Sequence, residues 1–258
     1  MFGVLRHNLT KAIVLTGSLR WDDPDRFKGR TTGRISGAAQ LPAGFALTLS
    51  AGQGFKVPTI SEAVCDFCFA PAAPLKPERA EGYDARLGWT SPQGRVTADV
   101  TAYRLDVRDQ ISYVALRYIN IARTRSNGVE AEADARLTDA LRLKLSYTVT
   151  DAKDLAADRR LLRVPQHAGA AALFWDQDPW GAALTVRGES SQPDTALDGF
   201  SPITRPGFVT ADLAGSYKLN DHVSLTARIE NLADERYQEV FGYGEPGRAA
   251  YVGVRVRQ

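Results

Sequence analysis

The stretch NDHVSLTARIENLADERYQEVFGYGEPGRAAYVGVRVRQ, residues 220–258, decides the fold of this chain. Two segments of alternating polar and apolar residues flank a Gly-rich loop over 231–247. The apolar residues of the first segment are Val223, Leu225, Ala227 and Ile229. In the last segment, one face carries Val252, Val254, Val256 and Gln258. A period of two is typical of a strand with one apolar and one polar face. The stretch predicts two strands, in either a soluble sandwich or a membrane barrel.

The same alternation continues through the rest of the chain. We predict about twelve strands in total, the first beginning near Lys11. The clearest strand covers 141–150, where apolar and polar residues alternate without interruption. In a barrel, one set would face lipid and the other the lumen. The predicted lipid-facing residues are Leu143, Leu145 and Tyr147, and the predicted lumenal residues are Lys144, Ser146 and Thr148.

Connections between the predicted strands alternate strictly in length. Long connections follow the odd-numbered strands, the longest over 54–79 and another over 106–117, and short turns follow the even-numbered strands. A transmembrane barrel requires this alternation because its short turns lie at one rim and its long loops at the other. A soluble sandwich has no reason to keep such parity.

Aromatic residues also collect near the short turns. These residues are Phe45, Trp89, Trp175, Trp180 and Tyr217. Aromatic side chains are enriched at membrane–water interfaces, and about ten tilted residues per strand suffice to cross the apolar layer. We therefore predict an all-β fold, an antiparallel transmembrane β-barrel meander with its short turns at the periplasmic rim.

Composition and residue spacing disfavour several other functions. Lys and Arg total 32 and Asp and Glu total 30, so a nucleic-acid partner is not expected. His7, His167 and His222 are far apart in sequence and predict no metal site. Glu130, Glu132 and Asp134 alternate along one predicted strand with Arg136. A polar lumen explains these carboxylates better than acid–base catalysis does, and we expect neither a cofactor nor an enzymatic activity.

Several phrases of the sequence resemble TonB-dependent outer-membrane receptors, nearest to their cobalamin-receptor-like branch. ENLADERYQEVFGYGEPGRAAYVGVR resembles the closing hairpin of that family. GFKVPT and LKPERAEGY resemble phrases that bracket an extracellular loop, and NIARTRSNGVEAEADARL resembles another family phrase. One departure is Gln258, because chains of this family usually end on an aromatic residue.

The resemblance implies the carboxyl-terminal part of a receptor barrel. Full-length members have a signal peptide, a TonB box, a plug domain and a barrel of about 22 strands. We expect residues 1–258 to be barrel without a plug domain, and we find no export signal among them. The implied location is the bacterial outer membrane, in contact with its lipid, and TonB would interact only through upstream regions missing from this chain.

The implied function is uptake of a scarce nutrient such as cobalamin or a ferric siderophore, bound through the extracellular loops. The alternative is a passive pore or a structural outer-membrane barrel, because an even number of strands can close alone. A soluble β-rich enzyme is a third class, disfavoured by the connection lengths and by the missing catalytic chemistry.

Cys65 and Cys68 lie together in the longest predicted loop. A redox Cys-x-x-Cys motif requires a βαβ setting that this sequence lacks, and two cysteines do not complete a zinc site. We therefore predict a local disulfide in an oxidising compartment. A pair of free thiols is the alternative.

Overall fold

The computed structural model describes residues 1–64, 74–114 and 117–257. This described part contains eighteen strands, the α-helix α1 (Ile60–Val64) and a 3₁₀ turn over Pro42–Gly44. In chain order the strands are β1 Phe2–Asn8, β2 Ile13–Asp22, β3 Arg30–Gln40, β4 Phe45–Lys56, β5 Glu78–Thr90, β6 Val96–Val114, β7 Arg117–Arg136, β8 Leu141–Asp154, β9 Arg159–Arg160, β10 His167–Gln177, β11 Trp180–Glu189, β12 Gln192–Thr195, β13 Pro202–Arg205, β14 Phe208–Lys218, β15 Val223–Glu230, β16 Gln238–Val240, β17 Tyr243–Gly244 and β18 Ala249–Val256.

Fourteen of the described strands form one antiparallel sheet. Its order is β1-β2-β3-β4-β5-β6-β7-β8-β10-β11-β14-β15-β18, and β9 pairs with β8 at one end. Two small hairpins, β12–β13 and β16–β17, lie in the long connections and belong to separate sheets. The order follows the chain without a crossover, which confirms the predicted meander.

The short turns are closed by side chains suited to them. Hydroxyl or amide oxygens in four of these turns accept hydrogen bonds of 2.9 to 3.2 Å from nearby backbone N–H groups, and they belong to Thr10, Ser91, Thr138 and Asn220. Such side chains replace the backbone partners that a turn leaves open. Gly44 adopts φ +83, and an added Cβ there would lie 2.1 Å from the Thr90 carbonyl oxygen. Only glycine therefore fits the turn between β3 and β4.

The meander has one strand that the sequence pattern misses. β1 precedes the first predicted strand and pairs with β2 from Phe2 opposite Arg20 to Asn8 opposite Val14. Its sequence, FGVLRHN, does not alternate between polar and apolar residues. β1 is a strand because its backbone forms hydrogen bonds with β2, and such pairing cannot be read from the residues of β1 alone.

The prediction of a loop over 106–117 is wrong, because most of this range is strand. β6 continues to Val114 and β7 begins at Arg117, so both strands extend through this region. Charged residues such as Arg108 and Arg123 lie directly opposite each other here. Charged residues interrupt the apolar ones in these extensions, as Asp109 does between Val107 and Ile111, so the hydrophobic period is broken and the sequence is easily taken for a loop.

The described residues form very little apolar core. In this part of the chain only Ile111, Ala152 and Phe208 are buried hydrophobic side chains. By contrast, Leu87 is 46 % exposed and Val252 is 90 % exposed. An apolar sheet face that packs against no other element is what a membrane barrel presents to lipid.

The helix α1 lies in the connection after β4, which the sequence pattern assigns to a loop. Its first turn has a capping box: the Thr59 N–H donates to Glu62 Oε2 at 2.7 Å, and the Glu62 N–H donates to Thr59 Oγ1 at 3.3 Å. Lys56 Nζ contacts Glu62 Oε1 at 2.8 Å and so joins the helix to the end of β4. Over the described ranges no helix is long and apolar enough to cross a membrane.

Candidate functional site

The strand register separates an apolar outer face from a polar inner face. In β8, Leu143 lies between Leu173 and Ala135, whereas the adjacent Lys144 pairs with Asp134. Because successive side chains of a strand point to opposite faces, the predicted sets of β8 do lie on two different faces. The polar face of a membrane barrel lines its water-filled interior, and we assign Lys144 to that interior.

Ion pairs join neighbouring strands along the inner face. Arg142 on β8 contacts Asp134 on β7 at 2.5 Å, and Lys144 contacts the same carboxylate at 3.8 Å. Further contacts continue the series on β3 to β6: Arg86 with Asp99 at 2.8 Å, Arg34 with Ser50 at 2.8 Å, and Ser50 with Asp84 at 2.7 Å. We call this face of β3–β8 the inner polar wall. The predicted acidic residues of β7 belong to it, which supports the lumenal interpretation of their charge.

A glycine lets one aromatic side chain lie flat against the inner polar wall. The Tyr103 ring covers Gly128 on the neighbouring strand, where an added Cβ would come within 2.5 Å of the ring. The Tyr103 hydroxyl then reaches Thr150 Oγ1 at 2.8 Å, one strand further along. Any larger residue at position 128 would push the tyrosine into the interior of the barrel.

Three long connections meet at the long-loop rim of the barrel, above the inner face of the sheet. Asp194, on the β12–β13 hairpin, is fully buried. Its carboxylate accepts hydrogen bonds from Arg163 Nε at 2.9 Å and from the Phe241 N–H at 3.0 Å. Arg163 belongs to the connection over 155–166 and Phe241 to the connection over 231–248. We call the contacts among these two connections and the hairpin the loop cluster.

Arg187 on β11 joins the loop cluster to the inner face of the sheet. It donates to Glu239 Oε1 at 2.9 Å and to the Tyr237 hydroxyl at 2.8 Å. Its guanidinium also lies 5.3 Å from the centre of the Phe208 ring, and the centre of that ring lies 4.2 Å from the centre of the tilted Tyr237 ring. A cation over an aromatic face is attracted by the ring quadrupole. The cluster thus combines charged and aromatic contacts.

The base of the hairpin is held by a buried arginine. Arg205 is 1 % exposed, forms an ion pair with Glu189, and donates to the Pro206 carbonyl at 2.7 Å. Its guanidinium lies 5.5 Å from the Phe208 ring centre, on which Arg187 also packs. A buried charge is tolerated only when it is paired in this way.

Burial and hydrogen bonding act in opposite directions on Asp194. Burial of the carboxyl raises its pKa, but hydrogen bonds from the Phe241 N–H and from Arg163 outweigh that effect and hold the pKa below the ordinary value of 3.8. Asp194 is therefore ionised at neutral pH, as its role as a hydrogen-bond acceptor requires.

The loop cluster leaves three charged side chains accessible at its surface. The side chains of Arg163, Arg187 and Glu239 are 52 %, 42 % and 50 % exposed. They lie on β11 and on the connections after β8 and β15, at the long-loop end of the sheet's inner face, where a polar ligand entering the barrel interior would meet them. No described group of three or more His, Cys, Asp or Glu residues is arranged to hold a metal ion.

The sequence-predicted site residues are not brought together. Val252, Val254 and Val256 lie on the outer face of β18, opposite Ala227, Leu225 and Val223. Cys65, Cys68 and Gln258 lie outside the described residues. Sequence reasoning missed the loop cluster, although Asp198-Gly199 is a typical hairpin-turn dipeptide that signals the β12–β13 hairpin.

Comparison with known proteins gives a family match over most of the chain. The family model described as "TonB dependent receptor-like, beta-barrel" matches residues 1–232. The matched range includes the inner polar wall, the β12–β13 hairpin and Arg163.

Solved structures with the same fold are receptors and transporters of similar architecture. The protein described as copper transporter OprC has a TM-score of 0.81 at 21 % identity, covering 99 % of this chain and 47 % of that one. A variant of the ferric enterobactin receptor PfeA from Pseudomonas aeruginosa has a TM-score of 0.83 at 19 % identity, with 99 % and 44 % covered. The siderophore receptor PirA from Acinetobacter baumannii has a TM-score of 0.83 at 18 % identity, and the match covers 99 % of this chain and 45 % of PirA. The chain therefore spans less than half the length of these structures.

Proposed function

The chain belongs to the family of TonB-dependent receptor-like β-barrels, and from this membership we propose that it acts as part of an outer-membrane receptor that imports a scarce nutrient. The observation that carries this proposal is the loop cluster at the long-loop end of the sheet's inner face. Its exposed Arg163, Arg187 and Glu239 offer charged contacts to a polar ligand; the buried Asp194 holds Arg163 in place, and Arg187 and Glu239 hold each other through an ion pair.

We propose that residues 1–258 are barrel without a plug domain and that they form one section of a larger barrel. Within the described residues, β1 pairs only with β2 and β18 pairs only with β15. Unpaired backbone groups in hydrocarbon each cost several kcal/mol, on the order of the cost of burying an amide without a partner. Both edges of the sheet therefore require a pairing partner, which the neighbouring strands of a larger barrel would supply.

We propose a ligand of the ferric-siderophore or cobalamin class, recognised through its polar periphery. Relatives of the same fold are described as receptors for ferric enterobactin and other siderophores and as a copper transporter, which favours a metal-containing ligand. The proposal of cobalamin as the ligand rests only on the resemblance of the closing hairpin to that of the cobalamin-receptor-like branch. TonB would supply the energy for release through regions outside this chain.

The passive pore is the competing proposal. It requires β1 and β18 to pair with each other, and the described sheet leaves these two strands at opposite ends of its order. A persistent ion conductance of the purified chain in a planar bilayer would favour the pore over the receptor section.

The proposal is tested in the source organism, where the chain is present in its natural context. We would delete the coding sequence and measure uptake of radiolabelled ferric siderophores, cobalamin and copper, with and without a functional TonB. We expect TonB-dependent uptake of one of these ligand classes to be lost. Unchanged uptake of all three would overturn the proposal.

A variant carrying Arg163→Gln and Arg187→Gln tests the loop cluster itself. Each arginine loses a charge-assisted contact with the ligand, so we expect the KM of uptake to rise about tenfold. The matched control is Arg95→Gln, which removes an exposed, ion-paired arginine at the short-turn rim. We expect this control to leave uptake unchanged.

A further inference from the structure

A cavity lies on the inner face of the sheet at its short-turn end, away from the loop cluster. It has a volume of about 600 Å³ and is lined by residues of β10, β11, β14, β15 and β18. Ala183 on β11 lies in this lining and is four residues before Arg187, so it shares the inner face with that arginine. Because the short turns after β10 and β14 border this cavity, we call it the rim cavity.

One row of the sheet supplies the walls and the floor of the rim cavity. From β10 to β18 this row pairs Phe174, Ala183, Ala214, Arg228 and Tyr251 in that order. Side chains directly opposite each other on neighbouring strands share one face. The two alanines leave the floor low, whereas larger side chains rise on both sides of it. Phe174 and Arg228 are three strand spacings apart, about 14 Å along the sheet, which leaves room for one aromatic ring between them.

Two guanidinium groups line the rim cavity on the side of β15 and β18. Arg228 lies over the Tyr251 ring, with its Cζ 4.4 Å from the ring centre, and its Nη2 contacts Glu230 Oε1 at 3.2 Å. Arg255 has no ion pair with an acidic side chain in the described part of the chain. Asp176 lines the opposite wall, four strand spacings or about 19 Å away along the sheet. The charge of Arg255 is therefore not neutralised within the cavity.

This combination of groups favours an anion that is attached to a planar ring. Guanidinium groups bind carboxylates through two parallel hydrogen bonds. An aromatic ring packs favourably against another in offset or edge-to-face geometry, and Phe174 offers such a surface. A neutral ligand would leave Arg255 without a partner, and an anion without a ring would leave Phe174 uncovered. The two features together select an aromatic carboxylate.

We propose that the rim cavity is a second ligand site, which binds an aromatic carboxylate group of the imported ligand on its way from the loop cluster to the periplasm. This inference rests on the proposed function, because the short-turn end is the inward end of the barrel in an outer-membrane receptor. Arg228 and Arg255 hold the carboxylate, and Phe174 packs against the ring above the two alanines of the floor. The ligand thus finds a second set of charged contacts after it leaves the first.

The experiment measures binding of small probes to the full chain in detergent, using ligand-observed NMR with protein-free micelles as the blank. The probes are benzoate, which has the ring and the charge, benzamide, which has the ring alone, and acetate, which has the charge alone. We expect benzoate to bind about tenfold more tightly than either of the others, because each of them lacks one of the two contacts. Equal binding of benzoate and either other probe would overturn the proposal.

Variants of the rim cavity locate the binding. Arg228→Gln with Arg255→Gln removes both guanidinium groups, and we expect benzoate to bind about tenfold more weakly and benzamide to bind as before. Ala214→Phe keeps every charge but fills the floor, and we expect both aromatic probes to bind several-fold more weakly. Lys11→Gln with Arg95→Gln removes the same charge elsewhere on the short-turn rim and should leave binding unchanged. Unchanged benzoate binding in either cavity variant would contradict the proposal, and so would a loss in this control.

The loop-cluster variant distinguishes a failure of this inference from a failure of the proposed function. In protein that carries Arg163→Gln and Arg187→Gln, we expect benzoate to bind as it does to the unchanged chain. If benzoate binding is lost in that variant and kept in the cavity variants, the anion site is the loop cluster. The second site is then refuted while the proposed function stands. Nutrient uptake is not a readout here, so a failure of the proposed function alters none of these binding results.

Discussion

At the scale of single residues, Asp194 connects more of the molecule than its sequence context indicates. The hairpin that carries it would otherwise be two short strands, Gln192–Thr195 and Pro202–Arg205, joined by an exposed turn. A two-stranded hairpin is marginally stable by itself. Its buried carboxylate supplies the missing contacts by binding one group from each of the two other connections.

We expect Asp194→Ala to loosen the loop cluster without unfolding the sheet. The Phe241 N–H would lose its partner, and an unsatisfied buried donor costs about 1–3 kcal/mol. Hydrogen exchange should therefore become about tenfold faster or more over 192–205 and 238–244, and stay unchanged in β8. Asp221→Ala is the control, since the side chain of Asp221 is 90 % exposed in a short turn. Unchanged exchange in the hairpin would show that Asp194 does not hold the cluster.

Acid should loosen the loop cluster, and only at pH values below the ordinary pKa of Asp194. The folded-state pKa of Asp194 is lower than the ordinary value of 3.8, so its stabilising contribution is complete above 3.8 and is lost as the pH falls through the lower folded-state value. We expect exchange of the hairpin amides, corrected for intrinsic rates, to be constant between pH 7 and 5 and to accelerate only below 3.8. Loosening that begins near pH 6 would point to another group.

At the scale of elements, β8 provides the sharpest test of the two faces. Spin labels at positions 143 and 144 occupy neighbouring positions on opposite faces of the strand. In a bilayer we expect the label at 143 to be reached by oxygen, which is lipid-soluble, and the label at 144 by a water-soluble nickel complex. A one-residue slip of register would exchange the two results, and equal access at both positions would contradict the assignment.

The connection between β4 and β5 carries a prediction that stays open. We expect Cys65 and Cys68 to form a disulfide in protein purified from outer membranes, because they are neighbours in a loop exposed to an oxidising compartment. A ring this small restricts the unfolded chain little, so its reduction should change the stability of the barrel only slightly. Mass spectrometry of protein alkylated before reduction decides this, since two alkylated cysteines would exclude the disulfide.

At the scale of the whole molecule, the free edges of the sheet determine how the chain behaves alone. We expect the isolated chain in detergent to exchange the outward backbone amides of β1 and β18 about a hundredfold faster than those of β8, or to protect them by self-association. Hydrogen exchange combined with light scattering separates these results. A monomer with protected edges would mean that the sheet closes on itself, which would favour the passive pore.

The amino-acid sequence alone determined the membrane-barrel class, the antiparallel meander and the two faces of its strands. It did so because a strand between lipid and water alternates apolar with polar residues. This period of two is visible in a short stretch of sequence such as that of β8. β1, the extensions of β6 and β7 and the loop cluster were decided only by the tertiary structure. β1 depends on a neighbouring strand to pair with, and charged residues interrupt the apolar period of the extensions. The contacts of Asp194 join residues 31 and 47 positions apart, a distance over which no local pattern reports which side chains meet.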